Sequence, residues 1–231
     1  MKRRKETDRF RERVDLGARH TAEARFHDQK YASGHSFPRH YRVSPTYPVS
    51  QRLLALVGME LAGQRVLEYG CGNGWITAQL AERGAAVSAF DVSPEAVRQT
   101  TALLEGQGLH LRASVRVMPG EHLDYQSCSF DSAIGFAILH HLDLDSALPE
   151  LHRVLKPGGR AFFAEPLASN GLVRLYRRLT PQFRTVDERP IDIAEILLAF
   201  EIKTSAYYPL ENKHLDCLKA SVDYWRQWVK E

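Results

Sequence analysis

The sequence lacks any long uninterrupted apolar run. None of its apolar stretches approaches the ~18–20 residues that a helix needs to cross a bilayer, which argues against a membrane-spanning helix. The basic N-terminal segment is interrupted by Glu6, Asp8 and Glu12, and it contains no apolar signal-peptide core. We therefore expect neither a secretory nor a mitochondrial leader, and the sequence predicts a cytoplasmic protein without a membrane partner.

Cysteine is scarce and the net charge is small. The three cysteines, Cys71, Cys128 and Cys217, lie far apart, which argues against a disulfide framework and a CxxC metal site and fits a reducing compartment. A formal net charge of +3 at pH 7 gives no reason to expect a nucleic-acid partner. We accordingly expect no metal and no nucleic acid, and a small molecule as the partner of a monomer or homodimer.

What the sequence does contain is a regular alternation of strand and helix patterns from residue 51 onward. Strands are predicted at 65–69, 86–90, 111–117, 130–136, 160–164 and 202–208, and helices at 51–61, 75–83, 94–105, 144–154, 194–200 and 214–229. Such alternation is typical of an α/β fold with a doubly wound, mostly parallel sheet and helices on both faces. A turn is expected at 156–159.

Residues 1–50 have a different character and predict a lid over this domain. A charged helical stretch extends to about His27, and the segment from Tyr31 to Pro48 then combines prolines with crowded aromatic residues. These aromatic side chains pack either on the domain surface or on a substrate pocket. We expect residues 51–231 to form the main domain, with an inserted helix near 170–180.

A glycine-rich turn follows the first strand and opens a helix. Gly70, Gly72 and Gly74 let the backbone bend sharply and approach a bound molecule, and the helix N-terminus behind them offers unsatisfied N–H groups. Asp91 ends the next strand, where a carboxylate can bind both hydroxyls of a ribose; its alternative role is to cap the helix that follows. Glu68, before the glycines, can order the turn and reach toward a cationic amino group.

The run Glu-x-Gly-x-Gly-x-Gly at 68–74 resembles the first motif of class I methyltransferases. Ser129-Phe130-Asp131, Leu139-His140-His141-Leu142 and the turn Glu-x-x-Arg-Val-Leu-Lys-Pro-Gly-Gly at 150–159 resemble its later motifs. The resemblance implies a Rossmann-like fold that transfers a methyl group from S-adenosylmethionine to a nucleophile. Outside this core, 26–31 and 165–190 look like segments of small bacterial methyltransferases that tailor natural products.

The resemblance also implies where the cofactor binds. The turn would cradle the methionine part, the end of the second strand would hold ribose and adenine, and the residue after the fourth strand would lie beside the methyl group. In the loop that approaches the adenine, Pro119 stands where the family commonly has an acidic residue, and Glu121 is expected to substitute. The implied cofactor-binding residues are Glu68, Gly70, Cys71, Gly72, Asn73, Gly74, Asp91, Val92, Gly120, Glu121 and Ala137.

The candidate catalytic residues are His140, His141 and Tyr31. Each histidine either takes a proton from a hydroxyl acceptor or makes structural hydrogen bonds at the start of a helix. The resemblance implies that the lid brings Tyr31 to the sulfonium or the substrate; its alternative role is packing within the lid.

A basic helix face supplies the candidate acceptor-binding residues. Arg174, Arg177 and Arg178 share one side of a helix predicted at 171–179, which also carries Tyr176, and such a face either binds a carboxylate or phosphate or is simply solvated. The leading hypothesis is O-methylation of a small, anionic metabolite or natural-product intermediate. The alternatives are a cyclase or lyase that uses the same cofactor, and a non-catalytic protein that binds it.

Overall fold

A five-stranded parallel sheet forms the centre of the computed structural model, which describes residues 15–32, 54–55, 61–165, 178, 185 and 191. The strands are β1 (Arg65–Tyr69), β2 (Ala86–Asp91), β3 (Ala113–Val117), β4 (Phe130–Phe136) and β5 (Leu155–Ala164). The helices are α1 (Leu16–Ala32), α2 (Trp75–Glu82), α3 (Pro94–Gly106) and α4 (Leu144–Val154), and a 3₁₀ turn spans Leu139–His141.

The strand order β3-β2-β1-β4-β5 makes the sheet doubly wound, and every neighbouring pair is parallel. The chain winds outward from β1 to β3, crosses back to place β4 beside β1, and continues to β5. Because parallel crossovers are right-handed, this reversal puts the helices of the two halves on opposite faces. The Rossmann-like fold expected from the sequence is confirmed, and its switch point lies between β1 and β4, where such folds bind ligands.

The core lies between the sheet and its helices. Val66 of β1 and Ile134 of β4 are completely buried, and Leu80 of α2 and Leu104 of α3 pack against them in one apolar cluster. Near-continuous apolar runs are what a parallel strand covered on both faces requires, and they explain why these two strands are easy to locate in the sequence. α3 begins where expected, since the Ser93 side chain caps its N-terminus.

The fifth strand is longer than the sequence predicts. β5 begins at Leu155, and the Lys-Pro-Gly-Gly segment predicted as a turn is an irregularity within the strand: Phe130 pairs with Leu155, whereas Ser132 already pairs with Arg160. Gly158 has a φ of +78°, a left-handed conformation that a bulge tolerates best at glycine.

Two other boundaries differ from the prediction by more than one residue. β3 begins at Ala113 rather than 111, since Leu111 is 88% exposed and pairs with no strand. α1 continues to Ala32, so that Tyr31 lies in the last turn of a helix rather than at the start of a loop. The predicted segments at 33–50, 194–200, 202–208 and 214–229, and all but Arg178 of the inserted helix near 170–180, lie outside the described residues.

No helix within the described ranges combines the length and the apolarity that crossing a membrane demands.

Candidate functional site

A cavity of about 370 Å³ opens where the carboxyl ends of β1, β2 and β4 meet. This volume falls within the ~300–1,000 Å³ that is usual for small-molecule sites. α1 forms one wall, and the glycine turn and the loops after β2, β3 and β4 form the others. Gly74 does not line the cavity, but every other predicted cofactor or catalytic residue does: Tyr31, Glu68, Gly70, Cys71, Gly72, Asn73, Asp91, Val92, Gly120, Glu121, Ala137, His140 and His141.

All three glycines of the turn have a left-handed backbone, with φ of +70° at Gly70, +53° at Gly72 and +81° at Gly74. A Cβ at Gly72 would lie 2.8 Å from Oη of Tyr31, and a Cβ at Gly74 would lie 2.8 Å from Cγ2 of Thr100. Conformation and close packing therefore both require glycine here. Gly70 and Gly72 also line the cavity, so that backbone forms its surface there.

Asp91 ties the glycine turn to the end of β2. Its Oδ2 accepts a hydrogen bond from the N–H of Gly72 at 3.0 Å, and its Oδ1 accepts one from the N–H of Ser93 at 3.0 Å. Ser93, not Asp91, caps α3 by accepting from the N–H of Ala96, so the alternative role considered for Asp91 does not describe its contacts. Burial raises the pKa of Asp91, and the two backbone hydrogen bonds oppose this shift. A carboxylate with one bond to each oxygen retains acceptor capacity for ligand hydroxyls.

Glu68 lies buried beneath the turn, 1% exposed. The hydroxyl of Thr77 donates to its Oε2 at 2.6 Å. Burial raises the pKa of Glu68 to about 8; the Thr77 hydrogen bond opposes this and the nearby charge of Asp91 adds to it. A cation bound beside Glu68 would stabilise its ionised form.

α1 is fixed to the N-terminus of α3. Oδ1 of Asp28 accepts hydrogen bonds from the hydroxyl of Ser93 at 2.5 Å and from the N–H of Glu95 at 3.1 Å. The side-chain amide of Gln99 donates to the carbonyl of Tyr31 at 3.2 Å. A carboxylate at the positive end of a helix is favourable, so this part of the expected lid is a docked wall of the cavity.

The loop after β4 is held by Glu165. Its Oε1 accepts hydrogen bonds from the N–H groups of Ile138 and Leu139, both at 2.8 Å, and its Oε2 lies 2.7 Å from Nδ1 of His140. Ala137 has a φ of +53°, a strained conformation for a residue with a side chain. Glu165 therefore gives His140 a structural role, and it fixes the cavity wall on which Ala137 lies.

His141 faces two residues of α1 that the sequence analysis did not single out, Glu23 and His27. Nδ1 of His141 lies 3.2 Å from Oε2 of Glu23, and Nε2 of His27 lies 3.4 Å from the same oxygen. Arg19 donates to the carbonyl of His141 at 2.7 Å and thereby fixes its backbone. The available sequence signal was the four-residue spacing of Glu23 and His27, which puts both side chains on one helix face.

Glu121 uses both of its carboxylate oxygens within the protein. Oε2 lies 2.9 Å from Nε2 of His20, and Oε1 accepts from the N–H of Asp143 at 3.0 Å. Glu121 therefore bridges α1 and the residue before α4. Its expected role at the adenine remains a prediction.

The segment at 150–159, which carries much of the family resemblance, makes structural contacts. Arg153 pairs with Glu150 and donates to the carbonyls of Tyr125 at 2.6 Å and Leu123 at 2.8 Å. Glu150 in turn accepts from the N–H of Leu123 at 2.9 Å. These contacts fix the loop before β4 and lie away from the cavity.

The predicted acceptor-binding face lies almost wholly outside the described residues. Arg174, Tyr176 and Arg177 are not described, and Arg178 is an exposed helical residue that does not line the cavity. Anion recognition by these arginines remains a prediction.

Residues 67–163 match a family model described as a methyltransferase domain. The ubiquinone biosynthesis O-methyltransferase of Xanthomonas oryzae is 37% identical over 108 residues, which cover 46% of this chain and 44% of that protein. The malonyl-[acyl-carrier protein] O-methyltransferase of Erwinia billingiae is 34% identical over 131 residues, or 53% and 50% of the two chains. The chain thus spans about half the length of these curated relatives.

A solved structure shares the fold at low identity. Geranyl diphosphate C-methyltransferase from Streptomyces coelicolor, in complex with Mg²⁺, geranyl diphosphate and S-adenosyl-L-homocysteine, has a TM-score of 0.57 and is 16% identical, covering 67% of this chain and 59% of that one.

Proposed function

We propose that this chain transfers the methyl group of S-adenosylmethionine to an oxygen of a small-molecule acceptor, since residues 67–163 match a family model described as a methyltransferase domain. One observation carries the proposal. The cavity joins the glycine turn and Asp91 on one side to α1 on the other, so that a nucleotide-like ligand and an acceptor would share one cavity.

The residues present suit the cofactor. The turn at Gly70 and Gly72, which lines the cavity, would contact its methionine part, and buried Glu68 would face the cationic amino group. Asp91 would accept from the ribose hydroxyls with Val92 against the adenine, and Ala137 would lie beside the methyl group. When bound, the cofactor supplies an activated methyl group on a sulfonium.

The protein's contribution is then mainly orientation and exclusion of water. Methyl transfer in line with the sulfonium needs the acceptor oxygen to be held in place, and positioning of this kind accounts for a large share of the barrier reduction. The Ala137 loop is fixed by Glu165, and α1 is fixed by Asp28, so both sides of the cavity have rigid supports. His141 is the candidate to accept the proton of a hydroxyl, since Glu165 holds the neighbouring His140.

Oxygen is favoured as the acceptor atom because both curated relatives named above are O-methyltransferases. A cytoplasmic setting is part of the proposal, and the unpaired cysteines Cys71 and Cys128 support it. The anionic acceptor expected from Arg174, Arg177 and Arg178 also belongs to it.

The test is methyl transfer from isotopically labelled S-adenosylmethionine to a panel of phenols, carboxylates and phosphorylated alcohols. We expect labelled product and S-adenosylhomocysteine in equal amounts with at least one acceptor class, and no product with Asp91→Ala. Consumption of the cofactor without an acceptor would instead identify a cyclase or lyase. Binding without turnover on any acceptor would identify a non-catalytic protein.

A further inference from the structure

Three side chains on the α1 side of the cavity bring metal-ligand atoms together. They are Glu23 and His27, one helical turn apart on α1, and His141 from the 3₁₀ turn after β4. Their atoms Oε2, Nε2 and Nδ1 all lie within 4.8 Å of one another. All three residues line the cavity, so an ion held by them would be open to a ligand there.

Two polar atoms of this cluster are buried without a well-aligned hydrogen bond. Oε2 of Glu23 and Nδ1 of His141 have no hydrogen-bond partner, although Glu23 is only 4% exposed. The hydroxyl of Thr185 donates to the other oxygen of Glu23, Oε1, which orients the carboxylate and leaves Oε2 facing the histidines. An unpartnered carboxylate oxygen in a buried position is costly, so this arrangement requires an explanation.

The separations also fit a shared cation. The two histidine nitrogens lie 3.2 and 3.4 Å from the single oxygen Oε2 of Glu23. Hydrogen bonds between nitrogen and oxygen are usually ~2.7–3.2 Å long with an aligned proton. Ligands about 2.0–2.2 Å from a tetrahedral ion are roughly 3.3–3.5 Å apart, so two edges of the cluster already have suitable lengths.

We infer that Glu23, His27 and His141 bind one divalent transition-metal ion on the acceptor side of the cavity. Two imidazoles and one carboxylate suit Zn²⁺, Co²⁺ or Fe²⁺, whereas Ca²⁺ and Mg²⁺ prefer oxygen ligands. Three protein ligands leave at least one position for water or substrate, as in catalytic rather than structural zinc sites. Thr185 on the carboxylate and Arg19 on the His141 backbone supply the outer contacts that orient ligands.

The position of the ion gives it a role that rests on the proposed function. An acceptor hydroxyl bound at the open position would release its proton to solvent more readily, because a metal lowers the pKa of a coordinated O–H group. With the ion bound, His141 would serve as a ligand in place of the base. The resulting oxygen forms the new bond to the methyl carbon as the sulfur–carbon bond of the cofactor breaks, and S-adenosylhomocysteine leaves.

The experiment measures metal binding directly. Chelator-treated protein is titrated with Zn²⁺ by calorimetry and with Co²⁺ by visible absorption. We expect one ion per chain, and at least a tenfold loss of affinity in each of Glu23→Gln, His27→Asn and His141→Asn. The matched controls are His20→Asn, a cavity-lining histidine on the same helix, and His152→Asn, an exposed histidine on α4; both should bind the ion as the wild type does.

A second measurement does not depend on the folding of any variant. In wild-type protein, paramagnetic Co²⁺ should broaden the imidazole nuclear magnetic resonance signals of His27 and His141 and leave that of His152 sharp. No stoichiometric binding, or binding that the three ligand variants leave unchanged, would overturn the inference, as would broadening at His152 alone.

S-adenosylhomocysteine binding is measured on the same samples. Cofactor binding with no metal binding would overturn the metal site and leave the proposed function standing. Metal binding with no cofactor binding would overturn the proposed function alone.

Discussion

Replacing Asp91 by asparagine should weaken binding of S-adenosylhomocysteine by roughly 10- to 150-fold. The carboxylate accepts from Gly72 through one oxygen and from Ser93 through the other. An amide keeps one acceptor oxygen and turns an NH₂ group toward the second N–H, so the turn loses a contact as well as the charge that would bind the ribose. Hydrogen bonds to a charged group contribute about 1.5–3 kcal/mol, and about 1.4 kcal/mol is tenfold in affinity.

Calorimetry on the folded variant measures this loss. The control is Asp124→Asn, because the side chain of Asp124 is 92% exposed and lies 3.7 Å from Arg116 in a surface pair. Adenosine, which carries the ribose without the amino acid, should lose affinity for Asp91→Asn by a similar factor. Wild-type affinity in a folded Asp91→Asn protein, or an equal loss in Asp124→Asn, would refute the assignment.

The glycine turn, Glu68 and α1 each allow a separate test. In urea denaturation, Gly72→Ala should lower the free energy of unfolding by more than Gly108→Ala does. Both glycines are left-handed, but of the two only Gly72 would place a Cβ 2.8 Å from the hydroxyl of Tyr31. Adding Tyr31→Phe to Gly72→Ala should therefore recover part of the extra loss of stability. Affinity for S-adenosylhomocysteine should rise with pH and level off above about 8, because Glu68 must lose a proton to face a cationic amino group; Glu68→Gln should flatten the calorimetric profile. Asp28→Ala should speed amide hydrogen exchange in α1 and cost about 1–3 kcal/mol of stability, since it removes two hydrogen bonds.

Each of these tests has an outcome that contradicts it. Equal destabilisation by the two alanine substitutions would mean that Tyr31 does not pack against Gly72. A pH slope that survives in Glu68→Gln would assign the proton to another group, such as Asp91. Exchange in Asp28→Ala that matches Gln29→Ala, a substitution at an exposed neighbour on α1, would show that α1 is held by other contacts.

In the free protein, the ionisation of Glu68 affects folding stability in the opposite direction: stability falls as the pH rises, whereas cofactor affinity rises. Its pKa in the folded state, about 8, lies above the ordinary value of 4.5, so the folded state retains a proton that the unfolded chain has lost. The contribution of Glu68 to stability therefore falls as the pH rises from about 4.5 to about 8 and is constant above that range.

Much of the sheet could be predicted because its signals are local. The apolar runs that became β1 and β4 and the periodic pattern of α4 gave the observed boundaries, since burial on both faces dictates a strand sequence directly. β5 was predicted too short because its extra residues depend on how Phe130 and Ser132 pair across the bulge. α1 was predicted to end too early, because its C-terminal part is held by a contact between Asp28 and Ser93 at the start of α3. The local sequence of α1 does not reveal this contact.

The candidate site also combines residues that a local sequence pattern reveals with residues that no local pattern reveals. Gly72 and Asp91 could be found because a strand, a glycine turn and the next strand end follow one another along the chain. Glu23 and His141 are more than a hundred residues apart, and no local pattern predicts that they meet. The scattered cysteines predicted no metal, whereas the cluster of Glu23, His27 and His141 depends on how α1 docks.

Docking of α1, through contacts such as that between Asp28 and Ser93, makes the cavity an assembly of two parts. The carboxyl ends of the strands supply one part, where almost any substitution would disturb binding of the methyl donor. The helix at 16–32 supplies the other. Evolution can therefore exchange residues along the inner face of this helix to admit a new acceptor while the sheet continues to bind the same donor. A library varied only at helix positions that line the cavity should yield altered selectivity at nearly constant donor affinity.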